Sequence, residues 1–257
     1  MDRRSALRAA AAAAAGTAAG IAATGCGTDA PAPPAPTRAP STVASDAPSA
    51  SAAPSAAALP AEVVHGPADR PNVALTFHGQ GDPGLVRQLL AELDRGGARV
   101  TVLAVGSWLV AQPAMARVIL DGGHELGNHT QNHLDIAGMS PTQAFTEINT
   151  CAQRLKKLTG SIGTWFRPSA TQFSTPVIRE QATRVGYPTC LSYDLDSLDH
   201  KDPGAAVIVR TTLAGVRNGS IVSLHFGHPG TVAAMPALLD GLHQRGLRPV
   251  TMTELVG

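Results

Sequence analysis

Two histidines, His129 and His133, lie four residues apart in the stretch GNHTQNHLD. In one turn of helix, or in a tight loop, this spacing aims both imidazoles at the same point. Imidazole pairs are typical ligands of divalent transition metals such as zinc. The same spacing also occurs by chance in solvent-exposed loops. The two histidines could therefore form a metal site or simply lie in an exposed loop.

Further polar side chains follow short apolar runs elsewhere in the chain. They are His78, Arg167, Asp194, Asp196 and His225. His78 follows the run VALTF, and His225 ends the run IVSLH. If these runs are parallel strands, their carboxyl ends meet at one edge, which is where α/β proteins carry their sites. The pattern therefore predicts one site that gathers these residues and the histidine pair.

The elements that must position these side chains follow one another from Val73 onward, where short β-rich runs alternate with longer runs of helical period. Residues 84–97 carry Leu85, Leu89 and Leu93 at helical spacing and end in glycine. The alternation continues to the C terminus in about seven β/α units, which predicts parallel strands covered by helices. The alternation does not decide between a barrel and an open doubly wound sheet.

Composition limits the class of protein. The chain has 257 residues, of which 44% are hydrophobic, enough for one domain with a substantial core. Its net charge is +1, so a nucleic-acid partner, which requires a basic face, is not expected. We also expect the protein to be a monomer. Cys151 and Cys190 could form a disulfide outside the cytoplasm or remain two buried thiols, because sequence does not give their separation.

The N-terminal part resembles an export signal followed by a linker. In residues 1–26, two adjacent arginines precede an apolar Ala- and Gly-rich stretch, as in twin-arginine signals. Small residues before Cys26 resemble a bacterial lipoprotein cleavage site, although an ordinary secretory peptide stays open. Residues 27–62 are rich in Ala, Pro, Ser and Thr, which predicts a disordered linker before a domain at 63–257. We expect an exported protein, either secreted or held by its lipid alone at the outer face of the cytoplasmic membrane or in the cell wall.

Four motifs occur in order at the predicted strand ends: GNHTQNHLDI, FRPS, YDLDSLD with DPG, and GSIVSLH. Together they resemble the polysaccharide deacetylase (NodB-homology) domain, carbohydrate esterase family 4, over about residues 71–257. The resemblance implies a distorted (β/α)7 barrel. It also implies removal of N-acetyl groups from peptidoglycan or chitin-like sugars, or of O-acetyl groups from xylan, and leaves the choice between them open.

The resemblance also implies roles for single residues. His129 and His133 match the histidine pair that holds the family's divalent metal, for which we expect zinc. Arg167 matches the family's arginine. The backbone amide of Ala170 matches the group that helps to hold the oxyanion.

The resemblance assigns the proton donor to the last two motifs. Asp196 and Asp199 match the family's DxxDW motif, with His200 in place of the tryptophan. Leu224 matches the leucine that lines the acetyl pocket, and His225 matches the general acid. These roles suit amide hydrolysis, because a metal polarises the carbonyl and activates water while a histidine supplies a proton near neutral pH.

The first motif departs from the family. The family's TFDDG carries a general base and a third metal ligand on its two aspartates, whereas this chain reads TFHGQGD. His78 stands at the base position, and Gly79 at the ligand position has no side chain that binds metal.

Three interpretations stay open. In the first, the site is rebuilt: His78 is the base or joins His129 and His133 in a three-histidine hydrolytic zinc site, and Asp82 supplies a carboxylate. In the second, the domain binds a glycan or a metal and catalyses nothing. In the third, it hydrolyses an amide or ester that is not a sugar derivative, since fold does not fix substrate.

Overall fold

The computed structural model describes Pro31 and residues 59–257. The predicted export signal, the proposed lipid attachment at Cys26 and, except for Pro31, the linker up to residue 58 lie outside the described residues and stay predictions. The first strand begins at Glu62, one residue before the predicted start of the domain. Among the described helices, none has the length and apolar character needed to span a bilayer.

Short parallel strands form the centre of the domain. They are β1 Glu62–Val63, β2 Asn72–Gly79, β3 Thr101–Ala104, β4 Glu125–Asn128, β5 Cys190–Leu191, β6 Leu195–Asp196, β7 Ile221–His225 and β8 Arg248–Val250. The larger sheet has the order β4-β3-β2-β7-β6, with β8 beside the first half of β2. β1 pairs with β5, and single bridges from Phe166 to Asn128 and Cys190 link that pair to β4. The strands thus follow one another as a distorted, incompletely paired barrel.

Helices cover this sheet, as the alternating pattern predicted. They are α1 Pro83–Arg95, α2 Gly106–Ala111, α3 Ala114–Asp121, α4 Pro141–Thr159, α5 Pro176–Val185, α6 Ala205–Gly215, α7 Pro229–Gln244 and α8 Met252–Val256, with short 3-10 turns at Ile136–Gly138 and Asp199–Lys201. Ser140 and Gln143 form a reciprocal capping box at the start of α4, which satisfies backbone N–H groups that a helix leaves without partners.

The period of two along a strand decides which side chains reach the site. On β2, Phe77 packs beneath the helices in a core that includes Leu89 and Leu93 of α1. Its neighbours Thr76 and His78 therefore point to the opposite side of the strand. The helices thus enclose the apolar face, and the polar residues of β2 are left for the barrel interior.

The two cysteines of the domain, Cys151 and Cys190, are both buried and free. The disulfide that the sequence left open is therefore not formed. Burial raises the pKa of Cys151 to about 12 and that of Cys190 to about 11, so both remain thiols at neutral pH.

Candidate active site

The carboxyl ends of β2, β4 and β7 bring the predicted histidines together. His78 on β2 and His225 on β7 are direct partners in the parallel register, and their rings stack with centroids 4.2 Å apart. His129 follows the last residue of β4 and meets His78 edge-on, with ring centroids 4.5 Å apart. The predicted gathering of these histidines at one edge of the sheet is therefore observed.

Three imidazoles form a candidate metal centre. The donor nitrogens of His78, His129 and His133 all lie within 4.8 Å of one another. His78 Nδ1 is 2.8 Å from His129 Nε2. Two nitrogens on a tetrahedral zinc ion with bonds of about 2.0–2.1 Å are separated by about 3.3 Å. The His78–His129 pair therefore comes within about half an ångström of the separation that zinc requires, and His133 lies close enough to complete the set.

The hydrogen bonds fix the tautomer of His129. Its Nδ1 lies 2.9 Å from the carbonyl oxygen of Arg167, which only accepts, so Nδ1 carries the proton and Nε2 presents a lone pair. His78 Nδ1–H donates to that lone pair, and its Nε2 accepts from the Ser223 hydroxyl at 3.0 Å. Because a hydroxyl both donates and accepts, Ser223 can also hold the other tautomer of His78, in which Nδ1 is free to bind a metal.

The three imidazoles are neutral at neutral pH. Burial lowers the pKa of His78 well below its usual value, and the repulsion that a protonated His78 would meet from a protonated His129 and from Arg167 lowers it further. Burial likewise lowers the pKa of His129 well below its usual value, and it lowers the pKa of His133. Metal ligands must be deprotonated; the three rings already lack the extra proton, and only His78 has to change tautomer to offer Nδ1 to an ion.

His133 reaches the centre from a loop rather than from a helical turn. Both Thr130 and His133 have left-handed backbone angles, with φ of 67° and 55°. Local hydrogen bonds hold this conformation: the Thr130 hydroxyl accepts from His133 N–H, and Asn132 bonds to the Glu147 carboxylate through its backbone and its side chain. Such unfavourable angles concentrate at functional sites, where the surrounding structure maintains them.

A buried carboxylate holds the predicted general acid. Asp199 accepts from His225 Nδ1 at 2.7 Å, from the His225 backbone N–H at 2.8 Å and from the Thr231 hydroxyl at 2.7 Å. Burial alone would raise the pKa of Asp199, but the bonds from His225 and Thr231 outweigh it and lower that pKa. Asp199 is therefore ionised, and the remaining nitrogen of His225, Nε2, is left for chemistry.

These groups face one cavity of about 270 Å³. Its walls are His78, His133, Ala170, Thr171, Gln172, Tyr193, Asp196, His200, Ser223 and His225. Ala170 has a left-handed φ of 55°. Within residues 59–257, its backbone N–H donates to no other group, as a donor reserved for an oxyanion would.

Two sequence predictions are wrong. Asp82 does not line the cavity: it is the N-cap of α1, where its carboxylate accepts from the backbone N–H groups of Gly84 and Leu85. Leu224 does not line the acetyl pocket either, because it is fully buried in the core beneath the helices. Ser223 lines the cavity in its place, since strand alternation turns residues 223 and 225 to the same side.

Arg167 lies behind the cavity wall rather than in it. Its guanidinium is buried and donates to the Thr76 hydroxyl and to the carbonyls of Leu191 and Ser192. In the described part of the chain it forms no ion pair, and Nη1 has no partner. Burial lowers the pKa of Arg167 to about 9. His78, standing where the related family has a carboxylate, leaves this cation without a counter-ion.

Residues outside the cavity account for two more polar positions. Asp194 accepts from Ile221 N–H and pairs with Arg217, so it links the residue before β6 to the start of β7. His228 pairs with Asp202 at 2.9 Å in a surface turn. The sequence did not single out Gln172, Tyr193 or Ser223 as cavity residues, because none belongs to a pair or a spacing typical of catalysis.

Comparisons with known proteins agree with this architecture. A family model described as polysaccharide deacetylase matches residues 65–190. The chain is 32% identical to a peptidoglycan-N-acetylglucosamine deacetylase from Bacillus cereus, over 72% of this chain and 87% of that protein. It is 27% identical to the peptidoglycan-N-acetylglucosamine deacetylase PgdA from Listeria monocytogenes, over 72% of this chain and only 39% of that protein.

Among solved structures, the fold is similar to that of a carbohydrate esterase family 4 pseudoenzyme from Bacillus anthracis. The TM-score is 0.73 at 21% identity, over 78% of this chain and 70% of that chain. A mutant of the pseudoenzyme, described as having restored enzymatic activity, is equally similar. The likeness confirms the expected distorted (β/α)7 barrel. By its motifs, its fold and its similarity to the Bacillus cereus enzyme, the chain belongs to the polysaccharide deacetylase family, carbohydrate esterase family 4.

Proposed function

We propose that this protein is a metal-dependent hydrolase that removes acetyl groups from a cell-envelope polysaccharide. The observation that supports it most is that two groups of side chains meet at one cavity, which His78, His133 and His225 line. One is the neutral imidazole set His78, His129 and His133, and the other is the His225–Asp199 pair. A peptidoglycan or chitin-like substrate is proposed because the relatives carry such names.

In this proposal the first motif is rebuilt around His78. His78, His129 and His133 hold the ion, for which zinc suits three neutral imidazoles. A bound ion of this kind polarises a carbonyl and lowers the pKa of water. By accepting from His78 Nε2–H, the Ser223 hydroxyl would hold His78 in the tautomer that leaves Nδ1 free for the ion, so Ser223 is a positioning residue.

His225 carries the proton in the proposed reaction. Asp199 retains the proton on Nδ1, so Nε2 takes a proton from the attacking water as its oxygen bonds to the acetyl carbon. The same nitrogen then returns the proton to the departing sugar nitrogen, or oxygen, as the C–N or C–O bond breaks and acetate forms. The Ala170 N–H stabilises the negative oxygen of the tetrahedral intermediate, which suits its free donor beside the cavity.

A second candidate is a catalytically silent protein that binds a glycan or a metal. It is favoured by the loss of both first-motif carboxylates at His78 and Gly79 and by the displacement of Asp82 onto a helix cap. It has the same fold and the same metal ligands, so only measurements of turnover separate the two candidates.

The test is metal content and acetate release by the full chain. N-acetylated peptidoglycan, a chitin oligomer and acetylated xylan are each incubated with the protein as purified, after chelation, and after zinc is restored. We expect about one tightly held metal, acetate from at least one substrate, and loss and recovery of activity with the metal. His78→Ala is expected to lose both metal and activity, whereas Asp82→Ala, the matched control, keeps both.

The outcomes discriminate. Metal-free protein that releases no acetate from any of the three glycans overturns the enzyme proposal, and retained glycan binding then supports the silent candidate. Loss of activity in Asp82→Ala without loss of folding would return Asp82 to the site and overturn the role assigned to His78.

A further inference from the structure

A second group of donor atoms lies on the same cavity, beside the three-histidine centre. Ligand atoms of Asp199, His200 and His225 all lie within 4.8 Å of one another. Asp199 and His200 come from the 3-10 turn that follows β6, and His225 ends β7. None of the three belongs to the His78, His129 and His133 set.

The hydrogen bonds decide which of these atoms is free. Both oxygens of Asp199 are occupied, Oδ1 by the His225 ring and Oδ2 by the His225 N–H and the Thr231 hydroxyl. Asp199 therefore orients His225 from behind, in the arrangement that carboxylates adopt around metal-binding histidines. The atom of His225 left to bind a ligand is Nε2.

His200 supplies the partner. Its exposed ring lines the cavity, 5.0 Å from the His225 ring between centroids and inclined by 58°. Asp196, which lines the same cavity, adds a negative charge. Two imidazoles, one of them held by the Asp199 carboxylate, with a second carboxylate on the same cavity, are a ligand environment suited to zinc and similar ions.

We propose that His200 and His225 form a second, weaker site for a divalent transition metal, separate from the three-histidine centre. It has two imidazole donors instead of three, and water completes its coordination. The tryptophan of the related motif has no such donor, so the site arises from the histidine at position 200. When this second site is occupied, the ion binds His225 Nε2, the nitrogen that must take up the proton in the proposed reaction. Excess metal therefore inhibits turnover. This inhibition rests on the proposed function, whereas the metal stoichiometry does not.

The experiment is a calorimetric titration of the chelator-stripped full chain with zinc. A Cys26→Ser background is used because a free thiol is itself a zinc ligand. We expect two equivalents of zinc, one tight and one weaker. His200→Ala is expected to retain only the tight equivalent, and His129→Ala to lose the tight equivalent while the weaker one remains. His243→Ala, which removes an exposed histidine remote from the cavity, is the matched control and is expected to bind two.

Each outcome bears on the proposal. A single equivalent in the parent protein, or two equivalents in His200→Ala, overturns it. If the protein also releases acetate, activity is expected to rise and then fall as zinc is added, and His200→Ala is expected to abolish the fall. Two equivalents without any acetate release would support the second site while overturning the proposed function, so the two failures are distinguishable.

Discussion

Removal of the buried carboxylate behind His225 tests the proton-carrying pair most directly. Asp199 is fully buried and satisfies three donors: the His225 ring, the His225 backbone N–H and the Thr231 hydroxyl. Asp199→Ala leaves all three without an acceptor, at about 1–3 kcal/mol for each buried group, less where water enters. We therefore expect a loss of about 3–5 kcal/mol of unfolding free energy, a large fraction of the 5–15 kcal/mol typical of a domain.

Asp199→Asn is the milder variant. It keeps one acceptor oxygen but turns an NH2 group toward a donor, and it removes a charge-assisted bond worth about 1.5–3 kcal/mol. It also releases the tautomer of His225, so we expect kcat to fall by about 10²–10⁴-fold, the usual range for general acid–base catalysis. Thr231→Val is the matched control, because it removes one bond to Asp199 for about 1 kcal/mol and leaves the His225 ring in place.

The assay pairs urea unfolding with the pH profile of acetate release, measured where every variant is folded. If Asp199→Asn lowers stability but leaves kcat and the pH profile of the folded enzyme unchanged, Asp199 is only structural and the role of the pair is refuted. If Asp199→Ala unfolds no more easily than Thr231→Val, the calculation of the buried bonds is wrong.

Two further predictions concern stability. Because burial lowers the folded-state pKa of His78, His129 and His124, the last to about 4, the unfolded chain binds more protons below its own histidine pKa of about 6.5. For the chelator-stripped protein, the unfolding free energy should therefore be at its maximum above about pH 6.5 and fall as the pH drops toward 4; flat urea midpoints between pH 7.5 and 5 would contradict this. In Gly79→Ala, the new Cβ would lie 2.7 Å from Val102 Cγ1 and 3.0 Å from the Ala104 backbone, so we expect about 1–3 kcal/mol of destabilisation. Val102→Ala added to it should relieve part of the clash, and a gain in Tm of the single variant would show that the strand has room.

The arrangement of strands and the histidine cluster could be predicted from local pattern. Apolar runs that end in His78 and His225, and the HxxxH spacing of His129 and His133, need only the rule that parallel strands end at one edge. Two errors came from overlooking local rules. Asp82 before a proline and a glycine is a helix N-cap signal, and strand alternation already separates residue 224 from residue 225.

The partners of the site could not be predicted in this way. Ser223 reaches His78 only because β2 and β7 are neighbours in register, 145 residues apart in sequence. The isolation of the Arg167 guanidinium likewise depends on which side chains the barrel leaves inside. Such facts belong to tertiary packing, where a buried polar group is satisfied by whatever the fold brings near.

The replacement of the first-motif aspartates changes the charge of the site as well as its ligands. If three neutral imidazoles hold a divalent ion as proposed, they would leave its full double charge in the cavity, whereas a carboxylate ligand would neutralise part of it. Buried Arg167, without a counter-ion, adds to the positive potential. Such a potential weakens the binding of a cation but favours hydroxide over water and stabilises an oxyanion. A weaker base is then sufficient to take the proton from water. His225, hydrogen-bonded to the ionised Asp199, can act as that base without a carboxylate at position 78. The loss of the family's base is therefore compatible with turnover, provided that the metal is still held.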